Sequence, residues 1–137
     1  MPKTTQLVIT EKSKPGILAH VASALGVEGV NIKAFCAPDV SGGEGELRLL
    51  VNDLEKARDV LKSQKIKFRE EPALVLSLEN RPGALSAVAG LLKRDHININ
   101  CAYLTPSREG KRAIVVLTVS DTDKALATLQ DESLDEI

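Results

Sequence analysis

Aromatic side chains are almost missing from this chain: Phe35, Phe68 and Tyr103 are the whole set. A hydrophobic interior therefore has to be aliphatic, built from Leu, Ile, Val and Ala. The scarcity also bears on partners, because single-stranded nucleic acids are read by stacking bases on aromatic rings. Positive charge is not in excess either. Eighteen Lys and Arg face 19 Asp and Glu, a formal net charge of −1, which gives no footprint for a polyanion. No apolar stretch approaches the roughly 20 residues that span a bilayer. The start, Met1-Pro2-Lys3-Thr4-Thr5-Gln6, has no apolar signal core behind it. Two cysteines, Cys36 and Cys101, make neither a disulfide framework nor a metal cluster. His20 and His96 lack a third ligand in a suitable pattern. There is no P-loop, no Gly-rich dinucleotide loop and no Ser-His-Asp signature. These absences predict a cytoplasmic, non-catalytic protein that uses no metal, cofactor, nucleic acid or membrane.

What is present is a duplication. Lys14-Pro15-Gly16-Ile17-Leu18 matches Arg81-Pro82-Gly83-Ala84-Leu85, an offset of 82 − 15 = 67. The same offset pairs Val21, Ala22 and Leu25 with Val88, Ala89 and Leu92, and Val30-Asn31-Ile32 with Ile97-Asn98-Ile99. After the next hairpin the offset is 124 − 56 = 68, and Leu47, Leu49 and Val51 fall on Val115, Leu117 and Val119. A register held this long, slipping only at a turn, marks two copies of one unit. Residues 1–70 form the first module and 71–137 the second.

Each copy reads as strand, helix, strand, strand, helix. Leu7-Val8-Ile9 and Leu74-Val75-Leu76 are short apolar runs of covered strands. Ile17, Leu18, Val21, Ala22 and Leu25 form one stripe of an amphipathic helix, repeated as Ala84, Leu85, Val88, Ala89 and Leu92. Helices are predicted at about 16–26, 54–63, 83–94 and 122–130, with Gly26 and Gly29 at the end of the first and Asp53 and Asp121 as N-caps. Strands are predicted at about 6–10, 32–38, 46–51 and 66–69, then 73–78, 97–104 and 112–119. Ser41-Gly42-Gly43 and Ser107-Arg108-Glu109-Gly110 read as hairpin turns. The order β-α-β-β-α-β defines an α+β fold: two ferredoxin-like modules in tandem, antiparallel sheets with helices on one face. The acidic end after Gln130 predicts a short or missing closing strand in the second module. Glu70-Glu71-Pro72 reads as a short linker.

Leu78-Glu79-Asn80-Arg81-Pro82-Gly83-Ala84-Leu85 followed by Ile97-Asn98-Ile99 resembles the signature of the ACT domain, a family of small regulatory modules that bind amino acids. Lys12-Ser13-Lys14-Pro15-Gly16-Ile17-Leu18 with Val30-Asn31-Ile32 repeats it, so the resemblance covers nearly the whole chain. It implies a tandem ACT protein that binds an amino acid between modules and regulates allosterically. It also implies a residue before Pro-Gly that holds the ligand's amino group. Asn80 fits that place, whereas the first copy has Ser13, which favours the second copy as the site. The residues offer a physical route to such binding. A helix N-terminus presents backbone N–H groups and partial positive charge to a carboxylate. Gly16 and Gly83 remove a Cβ, and Pro15 and Pro82 fix the chain's entry. The candidate site residues are Asn80, Arg81, Pro82, Gly83, Ala84, Leu85 and Asn98, with Ser13, Gly16, Ile17, Leu18 and Asn31. The same Pro-Gly pairs serve helix starts generally, and Asn31 and Asn98 serve turns.

The leading reading is a non-catalytic amino-acid sensor. A regulatory subunit of an amino-acid biosynthetic enzyme is its nearest variant, which would make a metabolic enzyme a partner. An RNA-binding module and an acylphosphatase-type enzyme share the topology but lack their aromatic and catalytic residues. An open edge beside residues 73–78 predicts a homodimer, since exposed edges invite pairing.

Overall fold

In the computed structural model the chain is described over residues 3–12, 16–40 and 43–130. Its elements run β1 (Lys3–Lys12), α1 (Ile17–Val27), β2 (Ile32–Cys36), β3 (Asp39–Val40), β4 (Glu44–Val51) and α2 (Leu54–Ser63). They continue with β5 (Arg69–Glu79), α3 (Ala84–Arg94), β6 (Ile99–Pro106), β7 (Arg112–Val119) and α4 (Thr122–Gln130). Two compact units result, Thr5–Glu71 and Met1–Thr4 with Pro72–Ile137.

In the first unit the strand order is β2-β4-β1-β5, to which β5 contributes its first residues, with β3 beside β4. β1 and β4 are antiparallel with Leu7 opposite Leu49 and Ile9 opposite Leu47. Alternation puts these four side chains on one face. There they meet Val21 and Leu25 of α1 and Ala57, Val60 and Leu61 of α2. The second unit repeats the arrangement. Leu74 stands opposite Leu117 and Leu76 opposite Val115, packed with Val88, Leu92, Ala125 and Leu129. The aliphatic core and the ferredoxin-like order are as the sequence predicts.

The helix ends follow local chemistry. Asp53 and Asp121 accept hydrogen bonds from the Lys56 and Lys124 backbone N–H at 3.1 and 3.0 Å. Three helices are followed by a residue in the left-handed region: Gly29 (φ 78°), Lys65 (φ 56°) and His96 (φ 58°). Of the two glycines expected to end α1, Gly26 lies within the helix and Gly29 makes the turn.

Several expectations need correction. Residues 66–68 are not strand, and the expected linker Glu70-Glu71-Pro72 lies inside β5. Pro72 is tolerated because it is exposed and precedes the β7 ladder, which begins at Leu74, so no donor is lost there. Strand β1 begins at Lys3 instead of residue 6, and Lys3 and Thr4 belong to the second unit. There the order is β1-β5-β7-β6, so the edge of β5 expected to be open is occupied by β1. The segment after Gln130, where a short or missing closing strand is expected, lies outside the described residues. Finally, the sheet face away from the helices is buried: Gln6, Val8 and Leu50 in the first unit, Ser77, Val116 and Thr118 in the second.

Two stability effects follow. Leu25→Ala or Leu92→Ala, each at a fully buried position, should cost about 2–5 kcal/mol in urea unfolding. Lys65→Gly should instead stabilise by up to about 1 kcal/mol, because it relieves a left-handed residue bearing a Cβ.

Candidate ligand-binding site

Helices α1 and α3 start alike. Gly16 (φ 99°) and Gly83 (φ 87°) are left-handed N-caps, and no side chain caps either helix. A Cβ on either glycine would meet no atom within 4 Å. Backbone conformation, not crowding, therefore calls for glycine here. The first intrahelical bonds run from the His20 N–H to the Gly16 carbonyl at 2.8 Å and from the Ala87 N–H to the Gly83 carbonyl at 3.1 Å. The N–H groups before these belong to the first turn, which has no intrahelical acceptor for them.

A cavity of about 270 Å³ opens at the start of α1. Gly16, Ile17, Leu18 and Ala19 form one wall, Ile9 and Leu47 the floor, and Ala37, Pro38, Gly45 and Glu46 the opposite rim. Three of the predicted residues, Gly16, Ile17 and Leu18, thus line one space. Ser13 lies outside the described residues. The sequence does not point to this rim: Pro38 reads as the end of a strand and Gly45 as part of the glycine-rich hairpin. Their place follows only from register: Cys36 faces Arg48 and Asp39 faces Gly45, which sets Ala37 opposite Leu47.

In the second unit Asn80 is pinned at the end of β5. Its backbone N–H donates to the Lys111 carbonyl at 2.9 Å and its Nδ2 to the Gly110 carbonyl at 2.7 Å. This leaves Oδ1 as an acceptor on an exposed residue. Arg81 is engaged by Glu79, Nε to Oε2 at 2.7 Å. Pro82, Gly83 and Leu85 are exposed, and Ala84 packs against the core.

Asn31 and Asn98 lie elsewhere. The Asn31 N–H donates to Asn52 Oδ1 at 2.8 Å, and the Asn98 N–H to Ser120 Oγ at 3.0 Å. Each thereby fastens a strand start to the end of its neighbour. Ile99 faces Val119 at that end, whereas Pro106 faces Ala113 and Glu79 faces Arg112 at the other. Asn98 is therefore separated from the 80–85 segment by the length of β6, roughly 26 Å at 3.3 Å per residue. Within its unit Asn31 is likewise at the far end from Gly16.

A charged cluster sits on the other sheet face of the first unit. Arg48, 9% exposed, donates to Glu46 at 2.9 Å and to Glu71 at 3.0 Å, while Arg69 donates to Glu71 at 2.8 Å. Burial pushes the Glu71 carboxyl up. The hydrogen bonds and charges of Arg48 and Arg69 outweigh it and hold the group below its ordinary range. No group of His, Cys, Asp and Glu among the described residues could hold a metal ion. No helix among them is long and apolar enough to cross a membrane.

Residues 74–134 match the model of the AHAS small subunit-like ACT domain. Protein BT0572 from Bacteroides thetaiotaomicron is 30% identical over 98% of this chain and 91% of its own, with a TM-score of 0.90. The chain belongs to the ACT domain family. Solved structures of lower identity share the fold of this tandem ACT protein. The ligand-free regulatory subunit of aspartate kinase from Thermus thermophilus is 16% identical, covering 93% of this chain and 90% of that one, with a TM-score of 0.65. The corresponding subunit from Thermus flavus is 14% identical, covering 95% and 92%, with a TM-score of 0.59. No curated protein matches the sequence.

For this ACT protein, Asn80→Ala should leave the circular dichroism spectrum unchanged and cost at most about 1 kcal/mol, since one exposed hydrogen bond is lost. The Glu71 cluster has a pH signature of definite sign. A carboxyl depressed on folding adds stability above its unfolded pKa, roughly 4.3, and loses it as pH falls through the folded value. Urea titrations should show wild type above Glu71→Gln by about 1 kcal/mol near neutrality, a value tempered by solvent access. The gap should close as the pH falls toward about 3; a constant gap would contradict the assignment.

Proposed function

We propose that this protein is a non-catalytic regulatory protein that binds an amino acid at a loop-to-helix junction of its ACT modules. The observation that carries the reading is the cavity at the start of α1, lined by Gly16, Ile17 and Leu18. A carboxylate there takes up the first-turn N–H groups and the positive end of the helix without a basic side chain. The ammonium needs an acceptor, and in the second module Asn80 Oδ1 is the corresponding candidate. Its partner on this reading is a cytoplasmic enzyme of amino-acid metabolism whose activity follows the ligand. The Thermus proteins are regulatory subunits of such an enzyme; their low identity supports the fold and leaves the partner's identity to experiment.

Self-association is part of the reading. Phe35 on edge strand β2 and Leu104 on edge strand β6 are about half exposed, and two-fold dimers are the commonest oligomers. Light scattering should give about twice the 14.7 kDa chain mass; a monomer mass at micromolar concentration, with and without ligand, excludes the dimer.

Thermal unfolding in the presence of each of the twenty amino acids tests the binding. A ligand at 100 times its dissociation constant should add about 2.7 kcal/mol, a rise of several degrees in Tm. Unchanged Tm values throughout would remove the reading.

A further inference from the structure

Strands of the first unit hold their place by sending apolar side chains into the core. Strand β1 does so with Leu7 and Ile9, β4 with Leu47 and Leu49, and the approach to β5 with Ile66 and Phe68. The closing strand of this sheet is different. Its residues in the unit are Arg69, Glu70 and Glu71, and none of them belongs to the core. Pro72 follows, exposed and without an N–H to give to a ladder.

Ion pairs stand where the apolar anchors are missing. On the helix side, Glu70 receives two bonds from Arg58 of α2, Nη2 to Oε1 at 2.6 Å and Nε to Oε2 at 3.0 Å. Lys62 adds positive charge near Glu70, and Glu55 adds negative charge near Arg58. On the other face, Glu71 receives Arg48 of β4 at 3.0 Å and Arg69 at 2.8 Å. Glu46 shares both arginines, at 2.9 and 3.5 Å, and Arg69 also donates to Thr10 Oγ1 of β1 at 3.3 Å.

The two faces differ in their access to ions. The Arg58 and Glu70 side chains are 34% exposed, whereas Arg48 is buried. Salt screens exposed pairs and largely spares buried ones, so ionic strength acts mainly on the Glu70 side. Acid acts on both carboxylates. The hydrogen bonds from Arg58 hold Glu70 below its ordinary range; at Glu71 burial is outweighed by Arg48 and Arg69. Carboxyls depressed on folding give stability above their unfolded pKa and withdraw it as pH falls through the folded value.

We propose that Arg69–Glu71 is an electrostatic latch, a stretch of strand that opens on its own with salt or acid while the core of the first unit stays folded. Local opening is expected where few apolar contacts oppose it. Phe68 and Ala73, packed on either side of the segment in the chain, limit how far the opening spreads. The latch involves no ligand and stands whether or not the modules bind an amino acid.

Hydrogen exchange of the full chain, read by mass spectrometry near neutral pH, tests this. Raising NaCl from about 0.05 M to about 0.5 M should speed exchange of the peptide covering 67–73 by at least about threefold. Peptides covering 47–51 and 74–78 should change by less than about twofold. Glu70→Gln should produce the same acceleration at low salt and leave salt little to add. Arg58→Gln should match it, and the double variant should add nothing further, because both remove one interaction. Below a pH of about 4.3, protection relative to the intrinsic exchange rate should be lost at 67–73 before it is lost in the core. Exchange at 67–73 that matches the core at both salt concentrations overturns the latch, since the segment then opens only with the whole unit. An equal rise in all three peptides overturns it too, as an effect on global stability. Fast exchange that is indifferent to salt and to both variants shows a segment held by no charge, and equally overturns it.

Discussion

Antiparallel register governs this molecule more than any single contact. With Leu7 against Leu49 and Leu74 against Leu117, every second side chain of four strands turns toward the helices. A slip of one residue would exchange the two faces and put Arg48, Ser77 and Thr118 where the aliphatic core now lies. The helices add a matching constraint. Their apolar stripes, centred on Val21 and Leu25 and on Val88 and Leu92, fit only the face that this register presents. Register also lays out the candidate site, since it carries Ala37 and Gly45 to the rim beneath the start of α1.

With so few aromatic rings, the cores depend on many similar aliphatic residues, and the two copies use nearly the same set. Clear departures from symmetry lie on the far sheet faces. Arg48 with Glu46, Glu71 and Arg69 forms a charged cluster on the far sheet face of the first unit. In the second unit the buried Val116 stands in the place of Arg48, and Arg112 donates to the Ser77 hydroxyl and carbonyl. Duplication explains why this is tolerated: each core is satisfied independently, so residues around it can diverge without loss of the fold. The helix starts show the same division. Both keep a left-handed glycine, because the turn requires it, while the residues facing that turn differ in size.

Regulatory binding asks little of a protein beyond a rigid place for a small molecule and a surface that responds to it. The helix start supplies donors without a charged side chain, so a carboxylate can be held with little cost of burying ions. The rim, in contrast, comes from the β2–β4 hairpin, a different part of the chain. Occupation would therefore couple segments that are far apart in sequence, the physical requirement for a ligand to shift a structural equilibrium.

Much of this was legible in the residues alone. The repeated Pro-Gly helix starts, the 3.6-residue stripes and the alternating strands specify local structure, because the forces behind them act within a few residues. The ACT resemblance rests on the same local motifs. What local chemistry could not decide was where segments distant in the chain would meet. Glu70-Glu71-Pro72 has the composition of a linker, yet its carboxylates find Arg58, Arg48 and Arg69, and the segment becomes strand. The N-terminal residues look like a polar tail, yet β1 reaches back to Lys3 and occupies the edge of β5. Asn98 follows the motif by a short step in sequence but stands at the other end of its sheet, since a helix and a turn carry the chain back before β6 begins. Tertiary structure alone placed Ala37 and Gly45 beside Gly16, because only antiparallel pairing converts separation along the chain into proximity across it.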